Sequence, residues 1–454
     1  MKMKKYLSIL LALLLVATIF AGCGSSTKDS KDSSNQPGQS QTEQTGESTE
    51  EAKKDIPKNL KMATYYNMGD KNDARAVALE EIVQDFTQKT GIKVEYESIP
   101  WDQIESKLVI TNQAGNPVDI SWASSQKLAS VMNAGALLPL DDYVKETYTQ
   151  EELDDFLPVE KMATTYALDG KKYMFLATVH GRLLWYNKDL VPEPPKNLEE
   201  MIEIGKKITN KEKGIYGLGF NGTKHYGTPE VSIAPYLWEL GGKMANSDGS
   251  AAWNSPEVAQ AVRIFGDFVH KHGISPESVF TGSFDDTREA FKNGKLGMLL
   301  DGTYFLPRLK GNKLLEEGKV GVTYIPGING PAPHFVNGWA LCIPSKSKNP
   351  DGAWEFIKFF ESTENQIKYS KVEGGAPVRK SAWKDPAFSS EMFALFLDNL
   401  EKHGRPTDPF VYYQEGLESL ITAAMGYFLD PNADVEKLLD ESAKAFNEKY
   451  GYSK

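Results

Sequence analysis

Cysteine is nearly absent: Cys23 and Cys342 are the only two in 454 residues. That scarcity excludes a disulfide framework, a CxxC redox pair and a Cys/His zinc pattern. Positive charge is in deficit, with 51 Lys and Arg against 62 Asp and Glu, a formal net charge of −11. An acidic chain without a basic run is a poor partner for nucleic acid, because neutralising phosphates needs clustered Lys and Arg. Beyond the N-terminus no apolar run is long enough to span a bilayer. The chain has no GxSxG elbow, no HExxH, no P-loop and no GxGxxG after a strand, and it has no repeat of the solenoid kind. Asp430, Asn432 and Asp434 mimic the start of a calcium loop, but Val435 stands where such a loop needs glycine. Asp434 is therefore expected to cap a helix. No metal or cofactor is expected.

What is present begins at the first residues. Lys2, Lys4 and Lys5 precede an apolar run from Ile9 to Ala21 that ends in Gly22-Cys23. A basic start, a short apolar segment and small residues before a cleavage point describe a secretory signal. Gly22-Cys23 resembles the bacterial lipobox, which implies that Cys23 is acylated and becomes the mature N-terminus; Phe20 stands where that motif usually has Leu. Loss of residues 1–22 removes three lysines and leaves a net charge of −14. Gly24 to Asp55 contains no aromatic, Val, Leu, Ile or Met residue, so it cannot bury enough apolar surface to offset the entropy of ordering. It reads as a tether with a reach of about 30 Å.

From residue 57 the chain reads as an α/β protein. Leu60–Tyr66 is strand-like. A helix with apolar positions at Ala76, Leu79, Ile82, Val83 and Phe86 follows and stops at Thr90-Gly91; Ile92–Ser98 is then a strand. Strand–helix–strand units build parallel sheets. The alternation continues through the buried strand ending at Trp122, the strands Lys172–Ala177 and Leu183–Tyr186, the helices Leu198–Thr209, Pro256–His272 and Asp285–Asn293, and the strands Leu296–Leu300, Val320–Ile325 and Trp339–Ile343. Helices Asp351–Glu361, Glu364–Tyr369, Leu417–Leu429 and Asp434–Tyr450 complete it. Cys342 lies in an apolar run and is expected to be a small core residue.

Several strings resemble extracellular solute-binding proteins of the maltose-binding type. Tyr186-Asn187-Lys188-Asp189-Leu190 with Pro194-Pro195-Lys196-Asn197-Leu198-Glu199-Glu200 is similar to that family's "YNKDL…PPKTWEE" stretch. Phe291-Lys292-Asn293-Gly294-Lys295-Leu296-Gly297-Met298 with Gly302-Thr303-Tyr304, Ala353-Trp354-Glu355-Phe356 and Gly375-Ala376-Pro377-Val378-Arg379 match later segments in order and spacing. The resemblance implies a two-lobe periplasmic-binding-protein-like α/β fold with a hinge and an interlobe cleft. It places chain crossings near 179–183, 336–339 and 372–376. It therefore implies a signal peptide at 1–22, anchor and tether at 23–56, one lobe from 57–179 plus 338–372, and another from 183–335 plus 376–454. The implied function is a carbohydrate-binding lipoprotein on the extracellular face of the cytoplasmic membrane. It would act as a monomer and hand its ligand to the permease of an ABC transporter. The alternatives are a surface glycoside hydrolase, whose two carboxylates leave no local signature, or a binder of a peptide or polyamine.

A sugar offers hydroxyls around its rim and weakly apolar C–H faces, so its site needs flat aromatic surfaces and planar polar groups. Strand ends and crossings supply the candidates. Tyr66 and Asn67 end the first strand. Trp122 matches a family cleft tryptophan, followed by the neutral pair Ser125 and Gln126. His180 and Arg182 fall at the first crossing, Trp339 at the second, and Glu373 and Gly374 at the third. Tyr304 occupies the aromatic slot after Gly302-Thr303. Tyr226, Glu230 and Tyr412 are further candidates.

Overall fold

The computed structural model describes residues 58–452; the expectations for 1–22 and for 23–56, Cys23 included, lie outside them. The strands in chain order are β1 (Asn59–Thr64), β2 (Lys93–Ser98), β3 (Ile120–Ser124), β4 (Met174–Leu176), β5 (Arg182–Asn187), β6 (Tyr216–Gly219), β7 (Leu296–Gly302), β8 (Val320–Thr323), β9 (His334–Phe335), β10 (Trp339–Cys342) and β11 (Gly404–Arg405). They form a five-stranded sheet in the order β2-β1-β3-β10-β4, a four-stranded sheet in the order β6-β7-β5-β8, and the short pair β11-β9.

The first sheet starts as the expected strand–helix–strand unit. Asp73 caps helix Ala74–Thr90 by accepting from the Arg75 N–H, and the helix ends where Gly91 takes φ 76° and donates to the Thr87 carbonyl. Its buried face carries Ala76, Leu79, Ile82, Val83 and Phe86. β1 pairs in parallel with β2 and β3, whereas β10 enters antiparallel between β3 and β4. Cys342 is buried there and donates to the Ser121 carbonyl at 3.2 Å.

The second sheet is wrapped on both faces, and its side chains alternate accordingly. Leu184 and Tyr186 of β5 enter one core with Met298 and Leu300 of β7; Trp185 and Leu299 face a smaller core on the other side with Phe291 and Phe305. Helix Leu198–Ile208 lies so close to β6 that a Cβ at Gly217 would collide with the Gly205 Cα. Glycine at both positions is what permits that approach. At the C-terminus Asp434 caps helix Val435–Tyr450 by accepting from the Lys437 N–H, as the sequence led us to expect.

The two large cores divide as the sheets do. The first gathers Leu60, Met62, Trp122, Phe175, Leu341 and Phe356; the second gathers Leu218, Phe220, Trp253, Phe265, Leu417 and Phe446. Ala376, Val378, Phe396, Leu397 and Leu400 also pack into the first core. The helix Glu391–His403, which the sequence pattern leaves unmarked, therefore packs with the first core. Its apolar positions are drawn by a surface remote in sequence, where local pattern carries no information.

Candidate functional site

The segments that join the sheets run side by side. Val179 and Ala376 exchange both backbone hydrogen bonds, at 2.9 and 2.8 Å, and His180 and Asn337 do the same, at 2.8 and 3.1 Å. Residues 179–180 and 337, which link the two sheets, thus run beside residue 376 in a narrow ribbon. Gly338 is required beside it, since a Cβ there would collide with the Thr178 carbonyl. Gly374 takes φ +85° at the end of helix Thr363–Glu373, and a Cβ on it would come within 2.6 Å of Pro307 from the second lobe. The ribbon is held by main-chain bonds, and Val179 and Ala376 on it are packed in the first core.

From the first lobe come aromatic rings. Tyr65, just past β1, stacks on Trp339 at a centroid distance of 4.0 Å and an interplanar angle of 26°. Both rings are only partly buried. Tyr66 is 2 % exposed and its hydroxyl joins a chain of three with Tyr65 and Tyr369. Burial raises the pKa of all three phenols, so they stay protonated. Trp122 lies behind this layer, fully buried against Tyr65, Tyr66, Phe360 and Tyr369, with no partner for its indole N–H. A buried N–H left unpaired costs about 1–3 kcal/mol. Asn67 is exposed in the turn that follows, where its carbonyl accepts from the Asp70 N–H.

The polar groups meet at the ribbon. Ser125 is tied to the second crossing: its N–H donates to the Gly338 carbonyl and its hydroxyl accepts from the Gly338 N–H. Gln126 reaches across to the second lobe, donating to a Glu230 carboxylate oxygen at 2.9 Å and accepting from Asn337 Nδ2 at 3.2 Å. Asn337 in turn accepts from Arg182 Nη2 at 3.3 Å. Tyr413 donates to the same Glu230 oxygen. Full burial pushes the Glu230 carboxyl up to about 7, against the lowering effect of these donors and of Arg182. His180 Nε2 lies 2.7 Å from a Glu373 oxygen, which also accepts from Thr178 at 3.1 Å. His180 Nδ1 meets the Thr303 hydroxyl at 3.2 Å.

Tyr304 sits between two guanidinium groups, Arg182 at 5.0 Å and Arg288 at 5.4 Å from its ring centroid, with His180 edge-on at 5.7 Å. Asp301 holds Arg288 at 2.7 Å. Tyr226 is half-buried with its ring 6.3 Å from that of Tyr413; burial pushes its phenol up to about 12. Tyr412 points elsewhere and stacks on Tyr450 at 4.0 Å. A cavity of about 130 Å³ lies at the seam, bounded by Ser125, Gln126 and Met162 from the first lobe and by Phe335, Thr407 and Pro409.

Of the candidates that the sequence offers, the structure thus assembles Gln126 with Glu230, His180 with Glu373, Arg182 with Tyr304, and Trp122 with Tyr66 behind the Tyr65–Trp339 stack. Tyr65, Asn337, Thr303, Tyr369, Thr407 and Tyr413 are not among those candidates. For Tyr65 and Tyr413 the signal exists, because each adjoins a tyrosine that the sequence does point to. Thr407 carries no local signal.

The sequence profile of bacterial extracellular solute-binding proteins matches residues 81–394. The chain belongs to that family. A binding protein of Brucella abortus is 27% identical over 317 residues, 67% of this chain and 73% of the relative. A maltotriose-binding protein of Pyrococcus abyssi is 22% identical over 307 residues, 66% of this chain and 63% of that one. Among solved structures, an ABC-transporter solute-binding protein of Thermotoga lettingae bound to α-D-tagatose aligns with a TM-score of 0.71 at 25% identity, covering 86% of this chain and 99% of that one. The fold is accordingly the two-lobe one of solute-binding proteins, and the family is extracytoplasmic. In such a fold a solute-binding protein grips its ligand between lobes, where buried groups from both halves converge. Among the described residues no helix is long and apolar enough to cross a membrane.

Proposed function

We propose that this solute-binding protein captures a neutral carbohydrate in the interlobe cleft and presents it to the permease of an ABC transporter. The observation that carries this is the meeting, at one ribbon, of a stacked Tyr65–Trp339 pair with planar donors and acceptors from both lobes, Gln126, Asn337, Arg182 and Glu230. Rings suit C–H faces and the amide, guanidinium and carboxyl groups suit hydroxyls. The tagatose-bound and maltotriose-binding relatives support the same ligand class. The ligand favours closure because it touches both lobes only in the closed form. The lobes in this reading divide at the ribbon, and the chain works as a monomer held to the outer face of the membrane through acylated Cys23, with residues 24–56 as spacer. It alters no bond in its ligand.

Titration calorimetry of residues 57–454 against a sugar panel tests the reading. Heat with at least one neutral sugar, which is recovered chemically intact, is expected. Binding of only an ionic ligand would overturn the ligand class, and cleaved sugar would restore the glycoside hydrolase alternative.

A further inference from the structure

Where the helix Leu128–Asn133 of the first lobe meets the second lobe, the seam is loosely filled. Leu128 and Val131 anchor that helix in the first core. On one side of it the cavity of about 130 Å³ separates Gln126, Leu128 and Ala129 from Thr407, Asp408 and Pro409. Asp408 fastens that facing segment to the second lobe by accepting from the Met244 N–H at 2.6 Å. A further cavity of about 360 Å³ separates Lys127, Ser130 and Val131 from Tyr413, Gln414 and Glu415. Atoms that line a void lose dispersion contacts. Packing alone therefore holds little of this seam.

Two hydrogen bonds cross it. Gln126 Nε2 donates to Glu230 Oε2 at 2.9 Å, and Ser130 Oγ donates to the Val411 carbonyl at 2.8 Å. Phe410 and Tyr412, on either side of Val411, pack with the second core. The two donors stand four residues apart in one continuous helical segment, Ser125–Lys127 followed by Leu128–Asn133, a spacing that puts side chains on one face. Both ends of the first bond are held in place. Gln126 Oε1 accepts from Ser124 Oγ at 3.1 Å and from Asn337 Nδ2 at 3.2 Å, which fixes the amide with its NH₂ toward Glu230. Glu230 is fully buried, with Tyr413 donating to the same oxygen and the Thr407 hydroxyl beside its carboxyl. Groups fixed beforehand lose less entropy when they bond.

We infer that Gln126 and Ser130, with Glu230 and the Val411 carbonyl, form a clasp that holds the two lobes shut through the protein's own groups, before any ligand arrives. It rests on the hinge closure of the reading above and not on the class of ligand. A hydrogen bond to a charged acceptor shifts an equilibrium by about 10- to 100-fold, and one to a neutral acceptor by about 2- to 10-fold. Those factors favour the closed form over the open one. A ligand closes a hinge only by as much as it binds the closed form better; the clasp supplies part of that difference in advance. Entry of the ligand then waits on the clasp parting.

The test uses the full mature chain and no ligand. Spin labels are carried by Gln88→Cys in helix Ala74–Thr90 of the first lobe and Lys207→Cys in helix Leu198–Ile208 of the second. Both positions are exposed, whereas Cys342 is buried and stays unlabelled. A second pair, Gln88→Cys with Lys437→Cys, guards against a hinge axis that leaves one distance unchanged. Pulsed electron spin resonance at pH 8, where the Glu230 carboxylate prevails, reads the distances between lobes. One distance should dominate in the chain with its natural clasp. Gln126→Ala should raise the ratio of a displaced population to that one by about tenfold or more, and Ser130→Ala by about 2- to 10-fold. Ser130→Ala removes one oxygen from a half-buried position, so it keeps the test decisive if Gln126→Ala does not fold. Distributions that coincide in the natural chain and the variants, at both label pairs, would overturn the clasp. Since no sugar enters the measurement, that result is distinct from a failure of the carbohydrate reading, which calorimetry decides.

Discussion

His334 offers a measurable pH dependence whose sign and size follow from its surroundings. It is fully buried in β9, where Nδ1 accepts from the Arg182 N–H at 3.1 Å and Nε2 faces the Asn399 carbonyl at 3.3 Å. With the Arg182 N–H donating to Nδ1, the neutral ring carries its hydrogen on Nε2, although the Phe335 carbonyl also lies 3.3 Å from Nδ1 and partly favours a proton there. Burial, with the Arg182 charge in support, pushes its pKa from 6.5 down to about 4. A lowered histidine means that the unfolded chain binds the extra proton first. Stability is whole above pH 6.5, falls as pH drops, and levels off below about 4. The gap between 6.5 and about 4 corresponds to about 3 kcal/mol in full, of which about 2 kcal/mol is lost by pH 5. Glu230 acts in the opposite sense: its raised carboxyl contributes stability that is present below pH 4.5 and lost as pH rises through about 7. The two partly offset, so the natural protein alone shows a muted profile. Comparison with His334→Asn separates them. Urea denaturation at pH 7.5, 6 and 5 should find the variant less stable at neutral pH and the gap closing by about 2 kcal/mol at pH 5. Parallel stability curves for the two proteins would refute the argument.

Gly374→Ala should lower both stability and sugar affinity: a left-handed φ costs an alanine about 1–2 kcal/mol, and the methyl meets Pro307 across the lobes. Solution scattering should show a more open ligand-free form, and an unchanged radius would remove the Pro307 contact from the account. Trp122→Ala is expected to cost about 3–5 kcal/mol in denaturant unfolding, because the ring is enclosed on all sides; a loss below about 1 kcal/mol contradicts that. Gly217→Ala should destabilise by several kcal/mol, since Gly205 backbone occupies the space and cannot rotate away. A variant as stable as the natural chain would show that helix Leu198–Ile208 can slide.

Local pattern reveals most elements because their period and their punctuation agree. Gly91, Gly273 and Asp434 mark helix ends by backbone conformation or capping, which sequence displays directly. The strands of the second sheet are legible as apolar runs because both faces are covered. Boundaries shift by a residue or two, as with β1 ending at Thr64 and not Tyr66. The site is less legible. The resemblance to the family is what singles out His180, Arg182, Trp339 and Glu373 as candidates, and no local pattern marks them. How two adjacent tyrosines divide between burial and partial exposure depends on the turn after a strand or before a helix, which the sequence does not display; Tyr66 is buried while Tyr65 is only partly so. Thr407 and Asn337 matter through partners more than 150 residues away in sequence, Glu230 and Arg182, and no local pattern records such a relation.

β10 has a consequence for how the chain acquires its shape. It fills the place between β3 and β4, yet it is made only after the whole second sheet. Until residue 342 exists, β3 and β4 present bare edges with unpaired amides and carbonyls. A nascent chain ending at Phe335 can thus complete its later-coded sheet while its earlier-coded one stays split. Pairing across so long a loop is slow and leaves sticky edges exposed meanwhile. Chains truncated there should aggregate, and the last-made half should be the first to resist protease.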